Sequence, residues 1–254
     1  SWETDNMLLH ALSAGMVGPG DEIGTEDAGN IFRAVRRDGV IVKPDVPIVP
    51  TDATFVADAR GERRPLVAAT YTDHGTERAL YVFAFARKDD NTADVRFAPS
   101  SLGVDETAYV YNFMTGAGKI VDAGVVFNDT LGREGWAYYI AVPIGESGIG
   151  FLGDAGKFVS RGKQRIAAVS DEPGTLTTVV TFAQSEKSVT LHGYAASKPE
   201  VATRGGRVDE VVFDARARRF RVRIAPADDA VRTESQPGTT GQVRVVVTLT
   251  APAA

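Results

Sequence analysis

Three charged residues near the start of the chain have the chemistry to bind a molecule rich in hydroxyl groups. Asp21 follows the turn Gly18-Pro19-Gly20, and Lys43 and Asp45 lie on either side of a proline. Carboxylates accept charge-assisted hydrogen bonds and an ammonium group donates up to three, so we predict that these side chains contact a substrate. In the alternative interpretation, Asp21 or Glu22 caps a loop or a helix, and Lys43 and Asp45 form an ion pair that holds a connector.

The other reactive side chains do not form a recognisable metal or cofactor site. The chain has no cysteine, which excludes disulfides, thiolate ligands and a cysteine nucleophile. His10, His74 and His192 are far apart and lack the spacing of a zinc motif. The Gly-x-Gly-x-x-Gly match at 148–153 precedes no helical pattern, so it predicts a strand with turns instead of a dinucleotide site. The Asp-Asp-Asn triplet at 89–91 could hold calcium, but we interpret it as an exposed turn. We therefore expect no cofactor.

Four aromatic residues could stack on the apolar face of a sugar ring, namely Trp2, Trp136, Tyr138 and Tyr139. Neighbouring residues of a strand point to opposite faces, so at most one of Tyr138 and Tyr139 can join such a platform. Buried aromatic side chains contribute a large apolar area to protein cores, and core packing is therefore our interpretation of this group.

The composition limits the classes of partner. The formal net charge is −5, which argues against nucleic acid or an anionic membrane as the main partner, since both require clustered positive charge. The basic run at 216–223 alternates with apolar residues from Phe220 onward, which predicts a strand with one charged face. No apolar run is long enough to span a bilayer, and the sequence does not identify the cellular compartment of the protein.

The first 50 residues predict one short strand and one helix. Residues 8–17 are apolar, and this pattern alone fits either a buried parallel strand or part of a helix. After the Gly/Pro turn, Thr25 is a suitable N-cap, and Gly39 suits the end of the helix. The expected buried face of the helix consists of Ala28, Ile31, Phe32 and Val35. The order strand, loop and helix is typical of the end of a β/α barrel, so we predict that residues 1–50 are a barrel-end remnant and a proline-rich connector.

From Pro65 onward the pattern is almost entirely that of β-strands separated by turns. The predicted strands are 66–71, 79–86, 94–97, 107–113, 121–127, 136–142, 148–152, 165–170, 176–182, 188–194, 207–214, 218–224 and 242–250. Short strands at nearly regular spacing indicate antiparallel sandwiches. The predicted fold class is therefore mainly β: two antiparallel β-sandwich-like units, at 51–155 and 156–254, preceded by the short barrel remnant.

Segments in three parts of the chain resemble bacterial glycoside hydrolases. Near the N-terminus, Leu-Ser-Ala-Gly at 12–15, Gly-Pro-Gly-Asp at 18–21 and Lys-Pro-Asp at 43–45 resemble the end of the catalytic barrel in the α-galactosidase and raffinose-synthase group. The stretch 109–116 is similar to a strand and turn of the β domains that follow such barrels. The stretches 189–194, 212–214 and 218–222 resemble the distal β domain of retaining α-glucosidases and α-xylosidases.

This resemblance implies a parent enzyme that acts on α-glycosidic bonds through two carboxylates. The catalytic aspartates of such enzymes lie on middle barrel strands that this chain lacks, so no catalytic residue is assigned and the chain alone should be inactive. The implied partners are carbohydrate, bound through the parent enzyme, and an upstream barrel domain; a second copy of the chain is a further candidate. The alternative function is a non-catalytic tandem β-sandwich module for carbohydrate binding or adhesion.

Overall fold

Antiparallel β-sheets make up most of the structure, and the predicted fold class, mainly β, is confirmed. The computed structural model describes residues 2–18, 27–87, 92–184, 186–227 and 242–252. The helices are α1 (Trp2–Leu12), α2 (Ala28–Ala34) and α3 (Asp52–Ala59). The strands are β1 (Val49–Pro50), β2 (Leu66–His74), β3 (Glu77–Phe85), β4 (Thr92–Phe97), β5 (Ala108–Asn112), β6 (Gly118–Val121), β7 (Phe127–Gly132), β8 (Trp136–Pro143), β9 (Ile149–Asp154), β10 (Ile166–Glu172), β11 (Thr175–Phe182), β12 (Val189–Ala195), β13 (Glu200–Arg204), β14 (Gly206–Asp214), β15 (Arg219–Pro226) and β16 (Val243–Thr250).

The chain divides into two compact units. The middle unit is Val46–Ile144, and the terminal unit combines Ser1–Asp45 with Gly145–Ala254. Strand β9 belongs to the terminal unit, where it pairs with β12. The boundaries predicted at 50 and 155 stay predictions about independently folding domains.

The middle unit contains one large sheet and one strand pair around an apolar core. The sheet has the order β1-β2-β3-β8-β5-β6, and β4 pairs with β7. Alternate residues of β3, Leu80, Val82 and Ala84, are buried on one face of this sheet. They share a core with Val95 of β4 and Tyr139 of β8, so the β4–β7 pair covers that face.

The terminal unit contains two four-stranded sheets that share one core. Their strand orders are β10-β11-β16-β13 and β14-β15-β12-β9. In β15, Phe220 and Val222 are buried in this core, whereas Arg221 and Arg223 are exposed. The predicted strand with one charged face is therefore confirmed, and the arrangement is that of a sandwich.

The strand predicted at the start of the chain is wrong, because α1 is a helix. Its apolar residues Met7, Leu8, Ala11 and Leu12 are buried. They recur at intervals of three to four positions along one helical face, and the acidic Glu3 and Asp5 lie in the first turn. The prediction considered residues 8–17 alone, which include only the second half of this pattern.

Helix α2 is present, but its ends and its buried face differ from the prediction. Asp27 is the N-cap and accepts a hydrogen bond from the Gly29 N–H at 2.8 Å, whereas Thr25 lies outside the described residues. Asn30 and Ala34 are the buried residues, while Phe32 is 39% exposed. The buried face is rotated because α2 packs against α1, where Thr4 Oγ1 donates to Asn30 Oδ1 at 3.3 Å.

Two further elements of the middle unit were not anticipated. Helix α3 begins at a Thr51 N-cap within the segment after the prolines, for which no helix was predicted. The predicted strand at 121–127 is wrong: a turn through Gly124, whose φ is +75°, separates β6 from β7. Positive φ is accessible to glycine at little energetic cost, so the glycine interrupts an otherwise apolar run.

Candidate functional site

Two of the three predicted contact residues, Lys43 and Asp45, lie where the proline-rich connector meets residues 163–164, just before β10. Lys43 donates from Nζ to the Ala14 carbonyl at 3.2 Å, and Lys163 Nζ lies 2.7 Å from Asp45 Oδ2. The described contacts of Lys43 and Asp45 therefore run to other parts of the terminal unit. Asp21 lies outside the described residues. A substrate-binding role for Asp21, Lys43 and Asp45 stays a prediction.

The motif at 148–153 forms a buried strand, as predicted. It coincides with β9, whose residues are all buried, and a turn follows instead of a helix. His192 is buried in the neighbouring strand β12, and burial together with Arg221 and Arg219 lowers its pKa to about 3. In the described part of the chain, no group of three or more His, Asp or Glu side chains could hold a metal ion.

Three of the four aromatic residues singled out from the sequence have described side chains, and these pack against other residues of the middle unit. Tyr138 and Tyr139 are fully buried, so their interpretation as core residues is confirmed. The ring of Trp136 is stacked with Phe83 at a centroid distance of 5.9 Å. The side chain of Trp2 lies outside what the structure describes.

A groove of about 500 Å³ in the middle unit is the best candidate for a ligand site. Its volume falls within the range of about 300–1,000 Å³ that is common for small-molecule sites. We call it the Tyr71 groove. The side chains that line it are Val46, Val49, Pro50, Thr51, Asp52, Ala53, Arg64, Ala69, Thr70, Tyr71, Leu80, Arg96, Phe97, Ala98, Ser101, Leu102 and Val126.

Tyr71 is one of two aromatic residues in the lining, the other being the buried Phe97. It lies on β2, on the same face as Ala69, and packs against the core of the middle unit while staying partly exposed. The Arg78 guanidinium lies 4.3 Å from the ring centroid and also pairs with Asp73 at 2.7 Å. One face of the ring is therefore covered by a cation, which holds the ring in place.

Gly103 makes the position of Arg78 possible. Its φ is +91°, and a Cβ atom built on it would lie 2.1 Å from Arg78 Nη1. Any larger residue would have to move the arginine and would also adopt a backbone conformation that side chains disfavour. The turn after the 3₁₀ segment Ser100–Leu102 therefore shapes this end of the Tyr71 groove.

The polar rim of the Tyr71 groove consists of Asp52, Arg64 and Arg96, all of which are exposed. Asp52 is the first residue of α3, and Thr54 ties this helix to β2. The Thr54 hydroxyl donates to the Val67 carbonyl at 2.9 Å and accepts from the Val67 N–H at 3.2 Å. The helix therefore holds a carboxylate at the rim, opposite in charge to the two arginines.

A second groove in the middle unit, of about 620 Å³, is a weaker candidate because its polar side chains are already engaged. Asp129 accepts a hydrogen bond from the Tyr139 hydroxyl at 2.8 Å. Asn112 accepts from the N–H groups of Met114 and Thr115 at 3.0 and 3.1 Å, which stabilises the hairpin turn. A ligand there would have to compete with contacts that maintain the fold.

The sequence analysis did not identify the Tyr71 groove. Tyr71, Asp52, Arg64 and Arg96 come from four separate segments, and none of them forms a motif with its neighbours in sequence. The one local signal was the Thr51–Asp52 pair at a helix start, which predicts an N-cap followed by an acidic first turn.

Comparison with known proteins gives a weak structural likeness to a solved enzyme structure. No protein-family model matches the chain, and no curated protein matches it. Among solved structures, the chain is similar to an isomalto-dextranase of Arthrobacter globiformis T6 in complex with panose. The identity is 14% and the TM-score 0.31, over 99% of this chain and 45% of that chain. The chain thus spans less than half the length of that carbohydrate-acting enzyme. None of the described helices has both the length and the apolar character needed to cross a membrane.

Proposed function

We propose that this chain is the C-terminal, carbohydrate-binding portion of a glycoside hydrolase-like protein that acts on α-glycosidic bonds. The parent would be of the α-galactosidase/raffinose-synthase and α-glucosidase/α-xylosidase type, with an upstream barrel that carries the catalytic carboxylates. The β units of this chain support the barrel and its cleft, and the chain alone does not catalyse hydrolysis. A carbohydrate-binding or adhesion module without a catalytic parent is the second candidate.

The observation that supports carbohydrate binding is the combination of surfaces in the Tyr71 groove. A sugar ring has an apolar C–H face and a periphery of hydroxyl groups that both donate and accept hydrogen bonds. The floor of the groove offers the partly exposed Ala69, Tyr71 and Leu102 to the apolar face of the sugar. The rim offers Asp52 and Arg96 to its hydroxyl groups. A carboxylate accepts hydrogen bonds only and a guanidinium donates only, so the two together match hydroxyl groups in both roles.

Two exposed valines in the lining of the Tyr71 groove also favour a ligand at this position. Val49 is 57% and Val126 45% exposed, although both line the groove beside buried Phe97. Covering these apolar side chains would remove their surface from water, which favours binding by about 25 cal/mol per Å². A sugar seated over Tyr71 would cover them in part.

Calorimetric titration with neutral oligosaccharides tests carbohydrate binding. Panose and isomaltose supply α-linked glucose units, and cellobiose supplies a β-linked pair. We expect the α-linked sugars to bind and Tyr71→Leu or Arg96→Gln to weaken them at least about tenfold, since aromatic and arginine side chains dominate the energetics of most binding sites. Phe55→Leu and Arg133→Gln are matched controls, because both residues are exposed in the same unit and neither lines the groove.

The titration separates the parts of the proposal. Equal affinity for cellobiose and panose would remove the preference for α-glycosidic bonds. Equal affinity in the folded Tyr71→Leu, Arg96→Gln and control variants would remove the groove as the site. Because Arg96 is exposed, its substitution keeps the test decisive even if Tyr71→Leu unfolds the middle unit.

The catalytic part of the proposal has its own test. The purified chain should not cleave aryl α-glycosides; turnover that is abolished by changing a single Asp or Glu would contradict the assignment to a non-catalytic portion. The gene upstream of Ser1 distinguishes the two candidates: a coding region for a β/α barrel supports the hydrolase, and a nearby start codon favours the module. In an intact hydrolase, Asp21→Ala, Lys43→Ala and Asp45→Ala should each lower kcat/KM if these residues contact substrate.

A further inference from the structure

A strongly basic pocket of about 720 Å³ lies in the terminal unit, beside α2. Five basic and two acidic side chains line it, which is a local excess of three positive charges in a chain whose net charge is −5. Arg33 and Arg37 come from α2 and its end, and Lys157 and Lys187 from two loops. We call this site the basic pocket. Charge of one sign that is gathered in a concave site raises the local concentration of ions of the opposite sign.

The two carboxylates of the basic pocket share one arginine as their ion-pair partner. Arg165, whose side chain is 1% exposed, has its Nε 2.8 Å from Asp154 Oδ2 and its Nη1 2.7 Å from Glu186 Oε2. The same Nη1 donates to the Thr181 carbonyl at 2.6 Å. The cluster is thereby held in one geometry, and both acidic groups are directed to Arg165. The remaining four basic side chains therefore set the sign of the pocket.

Lys157 brings a buried ammonium group to the wall of the basic pocket. The residue is 7% exposed, and its Nζ donates to the carbonyls of Phe32 and Val35 at the end of α2. An ammonium has three N–H donors, so within the described part of the chain one of them has no protein acceptor. Burial lowers the pKa of Lys157, although the nearby charges of Asp154 and Glu186 act in the opposite direction.

The two arginines are placed on aromatic rings at the pocket. The Arg37 guanidinium lies 4.7 Å from the ring centroid of Phe32, and that of Arg33 lies 5.8 Å from that of Phe158. For Arg37, stacking on a ring orients the guanidinium while leaving its in-plane N–H donors available. Planar donor arrays of this kind match the oxygens of phosphate, sulfate and carboxylate groups.

We infer that the basic pocket binds a small molecule through an oxyanion, contacted by Arg37, Lys157 and Lys187. The shared chemistry is a phosphate, sulfate or carboxylate group whose organic part contacts Phe32. This site is separate from the Tyr71 groove, and the inference does not depend on the proposed function: neutral sugars test the groove, and oxyanions test the pocket.

Titration of the isotope-labelled chain, followed by NMR, tests the inference. The probes are inorganic phosphate, inorganic sulfate, glucose 6-phosphate, glucuronate and, as the uncharged comparison, glucose. We expect saturable shifts of the amide signals of Gly156 and Lys187 with the phosphates, sulfate or glucuronate and none with glucose. Screening by salt should weaken the binding. Tighter binding of glucose 6-phosphate than of phosphate would identify a sugar phosphate, and tighter binding of glucuronate a carboxylate.

Charge-removal variants with matched controls complete the test. Arg37→Gln with Lys187→Gln should weaken anion binding at least about tenfold, because each loses a charge-assisted bond. Both residues are exposed, so the variant should fold. The control pair is Lys198→Gln with Arg204→Gln, exposed residues of the same unit that do not line the pocket. The inference would be overturned if no anion gave saturable shifts at concentrations up to about 10 mM, which exceeds the Kd of even weak physiological ligands. Equal weakening by the control pair would also overturn it.

Discussion

The two units of this protein differ in what they bury. In the middle unit, the core is made of aliphatic and aromatic side chains, and Glu77 is the one buried side chain among its described residues that carries a formal charge. The terminal unit buries Arg36, Asp154, Lys157, Arg161 and Arg165, each 7% exposed or less, together with His192. The two candidate sites differ in the same way: apolar side chains form the floor of the Tyr71 groove, and charged side chains line the basic pocket.

The ligand chemistry proposed for each candidate site parallels the composition of the core behind that site. The core of the middle unit is mostly apolar, and the binding proposed for its groove depends on the ring of Tyr71 and on C–H contact. In the terminal unit, each buried ion requires a partner, and the partners set both the charge of the basic pocket and the response of the unit to acid. Each prediction below changes one side of this comparison.

The largest effect is expected from Arg165→Met, which removes the shared partner of Asp154 and Glu186. Two buried carboxylates would then lose the cation that they share, and loss of one member of a buried ion pair costs about 3–5 kcal/mol. Urea unfolding measures the change in free energy. As a control, Arg207→Met breaks an exposed pair with Asp209, which contributes about 0–1 kcal/mol. If the two variants were equally stable, the terminal unit would not depend on its buried charges.

The second effect is on the pH dependence of the terminal unit. Burial lowers the pKa of His192 to about 3, so the folded chain keeps this side chain neutral while the unfolded chain takes up a proton near pH 6.5. Stability therefore falls as the pH drops from about 6.5 to about 3, by up to about 1.4 kcal/mol per pH unit. Unfolding curves across this range should show a shallower slope for His192→Gln. His10→Gln, at an exposed position on α1, should leave the slope as it is.

Glu186 extends this acid sensitivity to lower pH. Its hydrogen bonds from Arg165 and the Ala183 N–H hold its pKa below the ordinary value despite burial. The group therefore stabilises the fold above its unfolded pKa of about 4.3 and loses this contribution as the pH falls through its lower folded pKa. Glu186→Gln should remove that part of the pH dependence and lower stability at neutral pH. An unchanged acid limb of the unfolding curve would contradict the role given to this pair.

The smallest expected effect is on sugar affinity at the Tyr71 groove, and substitution of two glycines tests it. Gly103→Ala and Gly124→Ala both place a side chain at positive φ, which costs about 1–2 kcal/mol. Only the Cβ atom at 103 meets Arg78, whereas no atom lies within 4 Å at 124. We expect similar losses of stability, but a change in sugar affinity for Gly103→Ala alone, because Arg78 must leave the Tyr71 ring. Equal affinities in calorimetric titration would show that Arg78 does not position Tyr71 for binding.

Most strands were predictable because their alternation reflects a local property of the backbone. Strands such as β3, β8, β11, β12 and β15 carry apolar residues at every second position or throughout, and their flanking turns contain Gly, Asp or Pro. The errors came where a short apolar run fits more than one structure. The pattern at 8–17 fitted a strand or part of a helix, and the structure has the end of α1 there, whereas Gly124 divides the single strand predicted at 121–127.

The amino-acid sequence by itself determined the mainly β character, the strand with a charged face at β15 and the burial of Tyr138 and Tyr139, because these depend on neighbours along the chain. The tertiary structure alone decided the Tyr71 groove, the basic pocket and the partners of Lys43 and Asp45. In each case the residues come from segments far apart in sequence, such as Arg33 and Lys187 or Tyr71 and Arg96. Their proximity depends on strand order and on close approaches such as that of Arg78 to Gly103, and no local pattern encodes these distances.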